Sequence, residues 1–227
     1  MDSSKEKTPL SARVEQQIIT MIKENNMKPG DRIENEYDLA RRLNVGRGTL
    51  REAIKALASR NVLLVRQGAG TFVAPMPGIP NDPLGLTFAK HDRRLALDLL
   101  EVRLILEPEI AAMAAACATE QEMKRIESQC DKAQRLIERG ESYQQEDVEF
   151  HYRLAQASHN QVISTLVPII HSSALLNIDL TRDELKEDTI RYHRELVRCV
   201  RARDAQGAKY AMILHLAENR RYLSVEP

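Results

Sequence analysis

The stretch NVGRGTLREAIKAL, residues 44–57, decides how this chain is read. It places Arg47 and Arg51 four residues apart, just past a glycine, at the start of a helix-forming run. Cations near a helix N-terminus oppose the macrodipole, so this is an unfavourable place for two arginines unless something outside the helix wants the charge. The flanking sequence points to a polyanion. Upstream, Val14, Ile18, Met21 and Ile22 share one face of a helix over 10–25, which MKPGDRI breaks with Pro29 and Gly30. A short helix fits 36–43, with Asn35 as its N-cap and Asp38 three residues on. NVG then makes a tight turn, and a third helix runs from Arg47 to Ser59. NVLLVRQGAGTFVA reads as two short strands around a glycine-rich tip.

Two short helices joined by a tight turn and followed by a hairpin make a winged helix-turn-helix, whose second helix enters the DNA major groove by its N-terminal end. Arg47 and Arg51 then face phosphate and guanine edges, and arginine can bond guanine O6 and N7 with two donors. Gly48 permits close approach, and Thr49 can donate to a phosphate. Arginines four apart are also common on solvated helix faces; the turn, the wing and the local charge favour DNA.

Net charge is zero over 227 residues, but it is unevenly spread. Residues 1–75 hold thirteen Lys/Arg and nine Asp/Glu, a net of +4, so the remainder carries −4. A basic N-terminal part joined to an acidic C-terminal part suits a polyanion partner for the first alone. With 43% hydrophobic residues the chain can bury a sizeable core, and 4% aromatics without Trp favours helices over a β-sandwich. Cys117, Cys130 and Cys199 form no CxxC motif and read as reduced thiols. No apolar run is long enough to span a membrane, and MDSSKEKTPLS lacks the apolar core of a signal peptide, so a cytoplasmic location is expected.

The segment APMPGIPNDPLG holds Pro75, Pro77, Pro80 and Pro83 and reads as a linker. Beyond it the period is helical throughout. Leu95, Leu99, Val102, Leu106, Ile110, Met113 and Cys117 mark a helix over 93–118, and Thr119 with Glu122 forms a capping-box pattern for 119–139. Further helices fit 143–158, 160–177, 183–203 and 204–223, the last capped by Asp204. The expected organisation is a winged helix-turn-helix over 1–74, a Pro-rich linker over 75–90 and an all-helical domain over 91–227.

In the C-terminal half several histidines interrupt apolar faces. Asp147 and His151 stand four apart in EDVEFHYRLA, between Phe150 and Leu154. His193 precedes Leu196 and Val200, and His215 sits among Ile213, Leu214 and Leu216. A polar ring on a core-facing stripe needs a partner. One carboxylate and three imidazoles converging from three helices would make a divalent-metal site with room for water or ligand oxygens. Each histidine taken alone also fits a hydrogen-bonded core residue.

LNVGRGTLREAIKALASRNVLLVRQGAGTFV resembles the DNA-binding domain of the GntR family of bacterial regulators, and the likeness extends over about residues 10–74. It implies DNA contacts by Arg47 and Arg51 and a close approach to the minor groove by the wing glycines, Gly68 and Gly70. The chain departs from the family pattern at Tyr37, where an arginine is usual, and at Gly46 and Gly48, where Ser and Thr are usual. The C-terminal half is similar to the FCD, the ligand-binding domain of the FadR subfamily: EVRLILEPEIAAMAA matches its opening motif, and DVEFHYRL its DxxFHxxL. The resemblance implies a metal held by Asp147, His151, His193 and His215, while His91, His159 and His171 fall outside the pattern. Zn²⁺ is the expected ion, although Ni²⁺ and Mn²⁺ accept the same ligands. The resemblance also gives Arg103 an effector-binding role, as a guanidinium fork for a carboxylate; a simpler reading pairs it with Glu107 one turn on.

The fold expected is mainly α: an N-terminal winged helix-turn-helix plus a C-terminal all-α antiparallel helical bundle. The function expected is a bacterial transcriptional regulator, a repressor that binds double-stranded operator DNA as a homodimer and responds to a small carboxylate or sugar acid. A metal-responsive regulator and a metal-dependent hydrolase are the alternatives; the hydrolase lacks any evident general base and leaves the N-terminal domain without a role.

Overall fold

The computed structural model describes residues 9–80, 82–90, 92–175 and 185–224, with side chains left out for 172–175. The ends expected for the helices near 177 and 183 therefore lie outside the described residues, as does His91. The chain divides into two compact units between Pro83 and Leu84.

The first unit holds α1 (Leu10–Glu24), α2 (Glu36–Arg42), α3 (Arg47–Ser59), β1 (Leu63–Arg66) and β2 (Gly70–Val73). Its core joins Val14 and Ile18 of α1, Leu39 and Ala40 of α2, Leu50, Ala53, Ile54 and Leu57 of α3, and Leu63 of β1. The α3 residues recur at the spacing of one helical face, which seats the helix and turns Arg47, Gly48 and Arg51 outward. Asn35 caps α2, its side-chain oxygen accepting from the Tyr37 and Asp38 N–H groups. The turn between α2 and α3 is built on Asn44, at φ 52°, with the Val45 N–H returning to the Ala40 carbonyl at 3.0 Å. This is a left-handed helix exit in which asparagine takes the position usually held by glycine.

Strands β1 and β2 pair antiparallel, Leu63 opposite Val73 and Arg66 opposite Gly70. The segment after α1, which the sequence suggests only as a break, lies against β2: the Ile33 N–H donates to the Thr71 carbonyl at 2.9 Å, and the Val73 N–H to that of Asp31 at 2.8 Å. Part of the Pro-rich segment is also tied down. The Gly78 N–H donates to the Asn61 carbonyl at 2.9 Å, and the Asn61 amide to the Met76 carbonyl at 3.2 Å.

The second unit contains α4 (Arg93–Cys117), α5 (Glu120–Glu138), α6 (Gln144–Ala157), α7 (Gln161–Leu175), α8 (Lys186–Arg201) and α9 (Ala205–Ser224). Helix α4 packs against α6, α7, α8 and α9, so one helix reaches most of the bundle. Its faces are lined with Ala111, Ala114 and Ala115, all fully buried, whose small side chains let neighbouring helices approach. The core around it includes Leu100, Ile126, Phe150, Leu154, Leu196, Val200, Met212 and Leu216. The Thr119–Glu122 capping box forms as expected, and the Asp204 carboxylate accepts from the Gly207 N–H at 2.8 Å in the first turn of α9.

The wing tip depends on backbone geometry. Gly68 and Gly70 have φ of +73° and +119°. A Cβ on Gly70 would also lie 2.8 Å from Arg32 Nε, a contact the flexible arginine can relieve, so the cost of substitution is mainly conformational. Gly70→Ala should destabilise the N-terminal unit by about 1–3 kcal/mol. Denaturant unfolding followed by circular dichroism checks this, and an unchanged midpoint would show that the wing relaxes at no cost.

Candidate functional site

Three helices of the second unit bring one polar cluster into the bundle interior. Asp147 and His151 come from α6, His193 from α8 and His215 from α9. The spacing of four along α6 puts His151 Nε2 3.9 Å from Asp147 Oδ2, and His193 Nε2 stands 3.3 Å from Asp147 Oδ1. The three rings lie 4.9–5.5 Å apart, centroid to centroid, and one potential ligand atom from each of the four residues falls within 4.8 Å of the others. Phe150 stacks on His193 at 4.0 Å between centroids, fixing that ring's plane.

The imidazoles are all but inaccessible to solvent. Burial holds the His193 and His215 pKa below the ordinary histidine range, so both are neutral and present lone pairs. Burial pushes the Asp147 carboxyl up, but its contact with His193 and the electrostatic attraction of the surrounding imidazoles outweigh it and hold the group well below the usual carboxylate range. The Nε2 atoms of His193 and His215 are buried without a well-formed hydrogen bond; that of His193 contacts Asp147 off the ideal direction. Three imidazole nitrogens and one carboxylate oxygen are the donor set of a divalent transition ion, and a buried imidazole nitrogen with no partner is what such an ion satisfies.

A second network adjoins the first and comes from α4. Arg103 Nε donates to Glu107 Oε1 at 2.7 Å, so the ion pair one turn apart does form, and both groups are buried. Arg103 Nη2 also lies 3.5 Å from His151 Nε2, which places the guanidinium at the edge of the histidine cluster. The sequence reading named Glu107 only as a partner for Arg103 and placed His171 outside the site. His171, on α7, lies 2.8 Å through Nε2 from Glu107 Oε1, and His151 Nδ1 lies 2.5 Å from Glu107 Oε2. Burial pushes the Glu107 carboxyl up, but Arg103, His151 and His171 around it win, and it stays ionised; the His171 pKa is pushed down to about 4, first by burial and then by Arg103. A signal existed in the sequence: Glu107 stands one turn after Arg103, and a buried arginine needs an anion. Nothing in the sequence identified His171, because its contact depends on how α7 crosses α4. His159 lies apart, in the turn after α6 at φ 54°, with its ring on Glu122 at 3.0 Å.

In the first unit, Arg47 and Gly48 are exposed at the start of α3, and Thr49 is half-buried beside them. Gly46 precedes the helix and no side chain caps it, so the first-turn N–H groups stay open to an anion. Arg51 is exposed as well, but its Nε bonds Glu36 Oε2 at 2.8 Å. Gly68 is exposed at the wing tip with open space where a Cβ would stand, and Gly70 is half-buried beside Arg32.

A winged helix-turn-helix followed by a helical domain with a buried polar centre defines a class of bacterial regulators. The family model described as “Bacterial regulatory proteins, gntR family” matches residues 10–73, and the FCD domain matches residues 98–218. The chain belongs to the GntR family of transcriptional regulators, of the kind that carries an FCD domain. Among its relatives, a protein assigned as the L-lactate dehydrogenase operon regulatory protein of Escherichia coli is 32% identical over 223 residues, 92% of this chain and 84% of the relative. The HTH-type transcriptional regulator LutR of Bacillus subtilis is 31% identical over 210 residues, 86% of this chain and 93% of that protein. The solved structure of Streptococcus agalactiae GntR matches with a TM-score of 0.80 at 35% identity, covering 93% of this chain and 99% of that one. These are regulators rather than enzymes, which removes the hydrolase alternative. Among the described residues no helix is long and apolar enough to cross a membrane.

Arg103→Ala should leave Glu107 buried without its strongest countercharge and destabilise the C-terminal unit by about 3–5 kcal/mol. Urea unfolding measures this directly; a loss near zero would mean that water or another cation replaces the guanidinium.

Proposed function

We propose that this chain is a repressor that binds a pseudo-palindromic operator as a homodimer in the cytoplasm and is released by a small hydroxy acid or sugar acid bound beside a metal ion in its helical domain. The observation that carries this reading is the convergence of Asp147, His151, His193 and His215, with Arg103 at the cluster's edge. A divalent ion held by these four keeps coordination positions for the hydroxyl and carboxylate oxygens of such an acid. Arg103 supplies the matching guanidinium, and an incoming carboxylate competes with Glu107 for it. The name of the Escherichia coli relative, which ties it to an L-lactate dehydrogenase operon, makes L-lactate the first compound to test. Zn²⁺ is the ion favoured, with Ni²⁺ and Mn²⁺ as competitors for the same donors.

On the DNA side, Arg47 and Arg51 face the major groove, Gly48 lets the backbone approach, and Thr49 donates to phosphate together with the open first-turn amides of α3. Gly68 and Gly70 bring the wing close to the minor groove. A dimer makes the contact bivalent, and effector binding shifts the population of the arrangement that fits both half-sites.

Arg47→Ala and Arg51→Ala should each weaken operator binding by about 1–3 kcal/mol where the arginine reads a base, and should flatten the salt dependence where it meets a phosphate. Fluorescence anisotropy distinguishes the two, and an unaltered double variant would remove α3 from the interface.

Chelation should lower the melting temperature, because an ion bound only to the folded state stabilises it by mass action. His193→Ala and His215→Ala should reproduce much of that loss, whereas His159→Ala should leave the metal content unchanged. Elemental analysis of reconstituted protein with no divalent ion near one per chain would end the metal reading. Loss of operator control on metal titration alone, with no added acid, would favour a metal-responsive regulator instead.

A further inference from the structure

We propose that Glu107 is a positioning residue that fixes the tautomer of His151, keeping the proton on Nδ1 and turning the Nε2 lone pair toward Asp147, His193 and His215. The proposal rests on the reading of those four residues as a metal site. It assigns the orientation of one ligand to a carboxylate on a different helix.

The argument starts from what each neighbour of His151 can offer. An ionised carboxylate only accepts hydrogen bonds, and a guanidinium only donates them. Glu107 Oε2 stands 2.5 Å from Nδ1. Two lone pairs at that separation would repel strongly, so Nδ1 bears the hydrogen, although the N–H does not aim straight at the oxygen. On the other side of the ring, Arg103 Nη2, which can only donate, lies 3.5 Å from Nε2, so a lone pair on Nε2 suits this neighbour better than a hydrogen. The reverse tautomer would set an acceptor against an acceptor at Nδ1 and a donor against a donor at Nε2. Nε2 is also the atom that faces Asp147, 3.9 Å from Oδ2. The tautomer imposed from outside the cluster is therefore the one that a metal needs, and a carboxylate behind a ligating imidazole also raises its basicity.

A simpler role for Glu107 is to neutralise Arg103 within the bundle. That role needs only Oε1, which Arg103 and His171 already share, at 2.7 and 2.8 Å. The contact of Oε2 with His151 is additional to it. Burial of Glu107 keeps water from substituting for either oxygen, so the carboxylate controls both neighbours.

The test combines two measurements on the full-length protein. Nitrogen-15 NMR of the histidine rings in metal-free protein reads the His151 tautomer, and calorimetric titration with Ni²⁺ reads affinity. Wild-type protein should show His151 protonated at Nδ1. Glu107→Gln, whose amide can turn an N–H toward Nδ1, should populate the Nε2–H form and raise the Kd for Ni²⁺ about 10–100-fold. His171→Ala removes a partner of Oε1 and a ring 4.8 Å from that of His151, and should still leave His151 protonated at Nδ1. A Glu107→Gln protein that melts earlier yet keeps wild-type His151 signals and Ni²⁺ affinity would overturn the proposal in favour of the purely structural role. Wild-type His151 found protonated at Nε2 would overturn it too, and this measurement decides the matter even if the variant fails to fold. Wild-type protein that binds no Ni²⁺ while His151 carries its proton on Nδ1 would refute the metal reading and uphold the tautomer assignment.

Discussion

Polar groups are costly to bury, and the C-terminal bundle buries an unusual concentration of them at one point. A buried donor or acceptor left without a partner costs about 1–3 kcal/mol, and an unpaired charge more. Around Glu107 the cost is met in part within the chain: Oε1 takes Arg103 and His171, while Oε2 and His151 Nδ1 face each other at 2.5 Å without a well-formed hydrogen bond. In the adjoining cluster, likewise, His215 Nε2 has no partner and that of His193 only a misaligned one. A core selected for stability alone would carry leucine or phenylalanine at such positions. This surplus of unpartnered buried imidazole nitrogen beside a charged carboxylate network is the physical basis for seeing a ligand-holding centre here. It also explains why α4, which carries Arg103 and Glu107 and touches four other helices, organises the whole unit.

The N-terminal unit follows the opposite economy. Its interior is apolar, and its charged groups are on the surface. Helix α3 opens on Gly46 with no side-chain cap, and its first-turn amides and Arg47 stand in solvent. A folded protein gains nothing from that arrangement until an anion arrives. Arg51 is half-engaged, because Glu36 at the start of α2 takes its Nε while the guanidinium remains exposed. An exposed pair of this kind contributes little to stability and is readily exchanged for a phosphate or a base.

Much of this was legible in the sequence because it is local. Asn35, Thr119 and Asp204 bond the backbone two or three residues ahead, and the periodic apolar positions of α3 follow from helix geometry. The stripe expected for α4, in contrast, is buried only at Leu99 and Ile110: Val102 and Cys117 are exposed, and Ala96, Arg103 and Glu107 are buried, because α4 meets neighbours on several sides. The pairing of Asp147 with His151, and of Arg103 with Glu107, is equally a matter of one helical turn. Where reach exceeded a turn, sequence reasoning was silent. It treated residues 31–33 as a break, although they bond β2, forty residues ahead in the chain. It also left His171 outside the site, sixty-four residues from the carboxylate that it touches.

The sequence alone determined the helix and hairpin order, the caps, the two chemically distinct halves and the residue types able to meet DNA or a metal, since each depends on composition or on contacts within a few residues. Only the tertiary structure decided which histidine joins which network. Periodicity says that His151, His193 and His215 face inward, but not which of the inward-facing groups meet. That depends on how α4, α6, α7, α8 and α9 cross, and the crossings are set by the packing of dozens of apolar side chains, among them the small alanines of α4. The same packing puts Glu107 behind His151 and Arg103 in front of it, and so decides which nitrogen of that ring faces the centre of the bundle.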